Sequence, residues 1–411
     1  MSIVILPRRK ERRRTLLVGR EFAPSPIVLP GDPGTGAQPP SSGPPPGGAP
    51  GIGSPPGLGG RLPPGAGGPN PGQGRGRGRD QTGAGGGGGG GGSATLFTWF
   101  DAPTMHEHTG INNDWADRDA PIGTPDGSPG LLIYIYPKVD HSSGCGFRAK
   151  GSSATPGDFR GAADPNGSHY IGFTALDSDR KYQTFGRVVS GEGMEWSVLA
   201  AVNPGMAHMF TDPPSLGTVP TTWEDYDISA HVQGSDECLA AIVHLDGLSG
   251  TSRRLSIRKK GWTITNEGAI RSGFAVVPVD DDNVFQAQTS DAADVPMLLL
   301  GYIKAGITVP ESQPTAITLS GAGTYHDLPA LPSGAEGGIY WWGRPSSGAN
   351  VGISVRPKGA TAAPFTTVRR GQGANSLSAV VRGGDSNAVE AQVANTALVG
   401  YLFATIDAEP E

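Results

Sequence analysis

The feature that most constrains the fold is a motif that returns three times. An apolar residue, Arg, any residue, Lys and Gly follow one another as Phe147-Arg148-Ala149-Lys150-Gly151, as Ile257-Arg258-Lys259-Lys260-Gly261 and as Val355-Arg356-Pro357-Lys358-Gly359. Upstream of each stands an Asp landmark: Asp119-Ala120-Pro121, Asp227-Ile228-Ser229 and Asp327-Leu328-Pro329. The intervals from that Asp to the apolar residue opening the motif are 28, 30 and 28 residues. Chance does not keep three such intervals alike, so the chain carries tandem repeats of about a hundred residues each. Asp119 and Asp227 follow Trp115 and Trp223 by four residues, whereas the third copy has Tyr325 two residues before Asp327. Gly172-Phe173 matches Gly273-Phe274, and Tyr182-Gln183 matches Phe285-Gln286.

Each copy reads as strands. Leu131 to Tyr136, Leu239 to Leu245 and Gly338 to Trp342 are apolar, rich in β-formers and bounded by Gly, Ser or Asp. Ser256-Ile257-Arg258 and Ser354-Val355-Arg356 alternate with period two, as half-buried strands do. Gly and Pro punctuate at short intervals and no stretch reads as a long amphipathic helix. The expected fold is all-β: three tandem β-sandwich or jelly-roll repeats, at 94–205, 206–306 and 307–411.

What precedes them differs in kind. Most of the excess in 66 Gly and 38 Pro falls between residues 24 and 93, with almost no large apolar side chain. Such a composition cannot offset its ordering entropy, so 24–93 is expected to be a disordered linker. Residues 1–23 hold two short apolar runs around Arg8, Arg9, Lys10, Arg12, Arg13 and Arg14. They read as a docking peptide that adds to a larger assembly, or as a tail with a solvated charge run. Residues 1–93 carry 11 Lys/Arg and 4 Asp/Glu, leaving 21 and 34 of the chain's 32 and 38 for the repeats. That acidic balance argues against nucleic acid as a partner there. No apolar stretch approaches the ~20 residues that span a bilayer. Cys145 and Cys238 sit in different settings and are expected to be free, buried thiols.

At this point the pattern resembles a small β-domain repeated in fibre and other structural proteins of tailed bacteriophages. The first copy carries it most fully, with Arg148-Ala149-Lys150-Gly151-Ser152, His169 and Asp177-Ser178-Asp179-Arg180-Lys181-Tyr182-Gln183. The second keeps Arg258, Lys260 and Gly261 but has Trp262 in place of Ser, and the third keeps Arg356, Lys358 and Gly359. The resemblance implies a virion component: a projecting fibre or spike anchored through residues 1–23, with a row of modules reaching toward a host surface. It also implies a symmetric homo-oligomer, trimers among them. A capsid decoration or carbohydrate-binding module is the alternative.

The chemistry-bearing residues are few. Arg and Lys of each motif lie two apart on a strand, hence on one face. They either line a cationic groove for an acidic glycan or pair structurally, each Arg with a landmark Asp (Asp119, Asp227, Asp327). The glycine that follows suits a turn with positive φ. His106-Glu107-His108 offers a His-x-His pair for a metal ringed by several chains. Asp177-Ser178-Asp179 and Asp280-Asp281-Asp282-Asn283 fit calcium or ordinary turns. Trp341-Trp342 beside Arg344 offers a sugar-stacking surface, one Trp facing the core and the other exposed. No cofactor motif and no catalytic constellation stands out, so the chain is not expected to be an enzyme.

Overall fold

A computed structural model describes residues 95–101, 103–108, 115–137, 144–153, 159–160, 170–186, 194–246, 253–265, 268–270, 272–289, 295–319, 324–343, 353–360, 377–393 and 398–409. The segments 1–23 and 24–93, Arg344 and His169 lie outside the described residues.

The first repeat contains β1 (Phe97–Trp99), β2 (His106–His108), β3 (Ala116–Asp119), β4 (Gly130–Pro137), β5 (Gly144–Ala149), β6 (Phe159–Arg160), β7 (Tyr170–Ala175), β8 (Lys181–Gly186) and β9 (Met194–Val202). One sheet runs β1-β9-β4-β7, with β2 also on β9, and the other runs β3-β8-β5-β6; every pairing is antiparallel. With β1 and β2 counted as one interrupted strand, this is the eight-stranded, two-sheet connectivity of a jelly roll.

The second repeat repeats it strand for strand. Its members are β10 (Ala207–Met209), β11 (Ser215–Val219), β12 (Glu224–Asp227), β13 (Ala240–Asp246), β14 (Arg253–Lys259), β15 (Gly268–Ile270), β16 (Ser272–Pro278), β17 (Val284–Thr289) and β18 (Val295–Ile303). The sheets run β10-β18-β13-β16, with β11 also on β18, and β12-β17-β14-β15. The third has β19 (Ile307–Thr308), β20 (Ile317–Leu319), β21 (Tyr325–Asp327), β22 (Ala335–Gly343), β23 (Ile353–Pro357), β24 (Leu377–Arg382), β25 (Val389–Val393) and β26 (Leu398–Asp407). Its sheets run β19-β26-β22-β24, with β20 also on β26, and, among the described residues, β21-β25-β23. The expected class, three tandem jelly-roll repeats, is the observed one.

The equivalence extends to an irregularity. The pairing of β4 with β9 slips between Leu132 and Ile133, that of β13 with β18 between Ile242 and Val243, and that of β22 with β26 between Ile339 and Tyr340. The residue bulged out is Leu199, Leu300 or Phe403, and each is buried. A bulge bends its strand and re-aims its neighbours. In the first two repeats it also frees a carbonyl: Leu199 O accepts from Phe100 N at 3.0 Å, and Leu300 O from Phe210 N at 2.8 Å.

Strand sequence follows what covers each face. In β25, where one face meets solvent, buried and half-buried residues alternate. In the central strands β4, β13 and β22 both faces are covered, so Leu131 to Ile135, Ala240 to Leu245 and Ile339 to Trp342 are all essentially inaccessible. One face belongs to the repeat's own sandwich. The other belongs to a core shared among the repeats, which runs from Leu96 and Phe97 through Phe147, Phe274 and Trp262 to Trp341 and Phe403. The third repeat keeps a second core of its own, built from Tyr340, Trp342, Val355, Val389, Ala391 and Val393.

The repeats are therefore packed on one another, not strung in the row expected of a fibre shaft. The first two meet where the Phe147 and Phe274 rings stack at 5.4 Å and where Ser153 Oγ donates to Asp212 at 3.0 Å. The second and third meet where Trp262 packs edge-on to Phe403 at 5.5 Å and where Thr263 N donates to Gln313 at 2.6 Å. The third returns to the first: Trp99 Nε1 donates to Glu336 at 3.1 Å, and Arg382 pairs with Asp101 at 2.7 Å. Ser153 and Thr263 hold the same position in their repeats, two residues after the motif glycine. The seams thus follow one another around a closed ring of three.

Candidate functional site

The residues singled out by the threefold motif assemble into one polar tile per repeat, on the outer face of the sheet that carries the motif strand. Cross-strand register sets it up. Asp117 lies opposite Gln183 and Gln183 opposite Arg148; Asp225, Gln286 and Arg258 form the same row, as do Asp327, Glu390 and Arg356. Residues directly opposite on one face touch. Arg148 Nε donates to Gln183 at 2.8 Å and Arg258 Nε to Gln286 at 2.9 Å, while Arg356 Nε donates to the Glu390 carboxylate. Each guanidinium also lies over an aromatic ring, at 4.1 Å from Trp115, 3.6 Å from Trp223 and 3.5 Å from Tyr325. Such a stack contributes about 0.5–2 kcal/mol depending on desolvation. The Lys two residues on closes the tile, with Lys150–Asp117 at 3.1 Å, Lys260–Asp225 at 2.7 Å and Lys358–Asp327 at 2.6 Å. Gly151, Gly261 and Gly359 make the turn at φ +82°, +90° and +82°, a region that disfavours any Cβ.

Two expectations change here. The Arg residues do not pair with Asp119, Asp227 and Asp327, because the nearest acceptor in each row is the Gln or Glu of the intervening strand. The Asp belongs to the Lys. The third landmark is also offset by two residues: Asp327 occupies the place of Asp117 and Asp225, so the shared element is aromatic-x-Asp, at Trp115, Trp223 and Tyr325. The electrostatics show how fully the tile is compensated. Gln183's hydrogen bond and Lys150 hold the Asp117 carboxyl below the usual range, and Asp117 in turn raises Lys150. Lys260 does the same to Asp225, helped by Gln286. Cations already engaged by a ring, an amide and a carboxylate clamp three strands together and do not form an open cationic groove.

The other candidates are dispersed. Trp341 and Trp342 are both fully buried. Trp341 lies in the shared core at 6.4 Å from Phe403, and Trp342 lies in the third repeat's own core beside Tyr340. The expectation of an exposed, sugar-stacking Trp is overturned, since the face opposite the sandwich is covered by a neighbouring repeat. His106 and His108 both lie in β2, opposite Trp196 and Met194. The His106 ring stacks on Trp196 at 5.2 Å, and burial together with Arg118 lowers its pKa. The side chain of His108 lies outside the described residues. Among the described residues no three His, Cys, Asp or Glu side chains gather to hold a metal. The acidic turns use their carboxylates locally: Asp177 Oδ1 accepts from the backbone of Asp179 and Lys181, and Asp280 Oδ1 from that of Asp282 and Val284. Cys238 is a free, buried thiol whose pKa burial pushes up to about 12. The side chain of Cys145 lies outside the described residues.

Contacts between repeats gather at the seams; several use positions in or beside the motif, such as Phe147, Trp262, Ser153 and Thr263, but spacing alone does not give their partners. A shallow cleft at the first seam, with an enclosed volume of only about 10 Å³, is lined by Arg148, Phe173, Thr174, Phe210, Thr211 and Leu300. It falls below the ~300–1,000 Å³ of ordinary small-molecule sites.

No family model and no curated protein matches the chain. Two solved structures do. One is a chain from the atomic structure of Sulfolobus turreted icosahedral virus, at 11% identity and TM-score 0.17, covering 72% of this chain and 84% of that one. The other comes from the triple jelly roll fold and turret assembly of an archaeal virus, at 11% identity and TM-score 0.16, covering 77% and 85%.

Proposed function

We propose that this chain is a structural component of a virus particle, in which the three jelly rolls act as one compact platform. The observation that carries the reading is the closed ring of three equivalent jelly rolls around a shared core. It gives one chain the internal symmetry that a closed cyclic trimer obtains from three subunits. Jelly rolls serve capsid and lectin domains alike. The compensated tiles and the buried Trp341 and Trp342 favour the particle over a glycan reader. The packed ring likewise favours a capsid or decoration platform over the shaft of a projecting fibre. In this reading residues 1–23 attach to other virion proteins and 24–93 act as a spacer. Further self-association, trimeric or otherwise, joins platforms to one another.

Antibodies raised against residues 95–409 test this on particles purified through a density gradient. The expected result is co-sedimentation with intact particles and gold labelling of their surface. Deleting residues 1–23 is expected to remove the protein from particles while leaving the body folded. Protein confined to the soluble fraction overturns the proposal.

A further inference from the structure

We infer that the seam between the first and third repeats is a clasp that opens while the other two seams stay shut. Three observations lead there. Connectivity is the first: β9 and β10 are joined by residues 203–206, and β18 and β19 by 304–306, so the first two seams are tethered covalently. Only the closing seam lacks a peptide link.

Packing is the second. Strand β16 of the middle repeat lies against both β7 and β24. It contributes Phe274 to the first seam and a Val276 N–H to Ser378 Oγ at the second, at 3.3 Å. Among the described residues no strand of the first repeat packs as closely on one of the third.

Chemistry is the third, and it shows in equivalent positions. Trp99 and Met209 are the same residue of their repeats, as are Gly130 and Gly337. At the first seam Met209 fits against Gly130, where an added Cβ would sit 3.0 Å from its Cγ. At the closing seam Trp99 instead gives its indole N–H to Glu336, the neighbour of Gly337, and the exposed pair Asp101–Arg382 flanks it. Beside it, Leu96 of the first repeat meets Gly306 of the link between the second and third, where an added Cβ would sit 2.6 Å from Leu96 N. The exposed ion pair contributes little, and the Trp99–Glu336 hydrogen bond is only part-buried. A joint that yields before its two neighbours lets one platform adjust its curvature, so the clasp deepens the platform reading without depending on it for its test.

Spin-label distances on the full chain supply that test. Asp119, Asp227 and Pro329 are exposed, equivalent positions, the first two at the ends of β3 and β12 and the third just beyond β21. Cysteines placed there in pairs report one seam each, in a Cys145→Ser, Cys238→Ala background. The 119/329 pair is expected to show a second, longer distance, whereas 119/227 and 227/329 show one. Arg382→Ala, which removes only an exposed side chain, is expected to raise the longer fraction about threefold. Trp99→Phe, which leaves Glu336 without its donor, is expected to raise it about tenfold. A single, unchanged 119/329 distance in both variants overturns the clasp, and so does equal broadening of all three pairs. Either outcome leaves the particle assay above untouched.

Discussion

His244 makes the shared core sensitive to acid, by an amount that follows from its burial. It sits on β13, 1% exposed, with its ring 5.1 Å from Phe274, which in turn stacks on Phe147 of the first repeat. Burial pushes its pKa from 6.5 down to about 3. In the unfolded chain the imidazole takes up a proton as pH falls below 6.5, while in the folded chain it stays neutral until about pH 3. Its contribution is therefore fully present above pH 6.5 and is lost as pH falls, at about 1.4 kcal/mol per unit. By about pH 4.5, roughly two units down, the loss is about 2.7 kcal/mol, and it levels off near ~5 kcal/mol around pH 3. The equivalent positions are Tyr134 and Trp341, so the site accepts an aromatic ring, and His244→Phe is the variant to compare. Urea unfolding of both chains, followed by one probe at about pH 7.0, 6.0, 5.0 and 4.5, isolates the effect, because carboxylates titrate alike in both and cancel in the difference. The stability difference between the chains is expected to shift by about 2.7 kcal/mol in favour of Phe across that range. Parallel pH profiles would refute the assignment of a buried, neutral imidazole, whatever constant offset the substitution brings.

Three further outcomes are expected. Arg258→Ala removes the guanidinium from Trp223 and Gln286, and thermal unfolding should show a loss of about 1–2 kcal/mol; Lys260→Ala, at the exposed end of the same tile, should change stability little. Gly172→Ala drives a Cβ into the Phe274 ring, a loss of about 1–3 kcal/mol by overpacking that Phe274→Leu in the same chain should partly restore. Cys238, its thiol held near pKa about 12 by burial, should resist a disulfide reagent at about pH 8 in the native chain and react once urea unfolds it, as peptide mapping would show.

The repeats, their all-β character and the Arg-x-Lys-Gly turn were legible in the sequence because each rests on local rules. Strand alternation, turn glycines and a regular period need no knowledge of neighbours. The Asp register was not legible, because Asp327 can be aligned on its own Leu-Pro tail or on the aromatic before it. Only the row through Glu390 shows that the aromatic decides. Trp341-Trp342 failed for a related reason. Period two correctly places adjacent residues on opposite faces, but what covers the far face is a property of the packed ring. A continuous apolar run such as Leu131 to Ile135 was the available signal, since a strand with a wet face would have alternated. The motifs also pointed to the outer tile, whose cations are all engaged; Phe147, Trp262 and Phe274 sit at motif or landmark positions too, but no repeated partner marks them as seam residues.

That last absence has a physical cause. In a trimer of identical subunits one seam is used three times, so the same residues must satisfy it at each turn. Fusing the three into one chain releases that constraint. Each seam then needs only its own complement: Phe274 against Gly172 and Phe147, Trp262 against Phe403, Trp99 against Glu336. The outer tile has no such partner to adapt to and stays recognisable in all three copies. The divergence of the third repeat, which in sequence looks like specialisation for a ligand, is then what is expected of the repeat that must meet its neighbours with two unlike faces. One closes an aromatic seam on the second repeat, and the other closes a polar seam on the first.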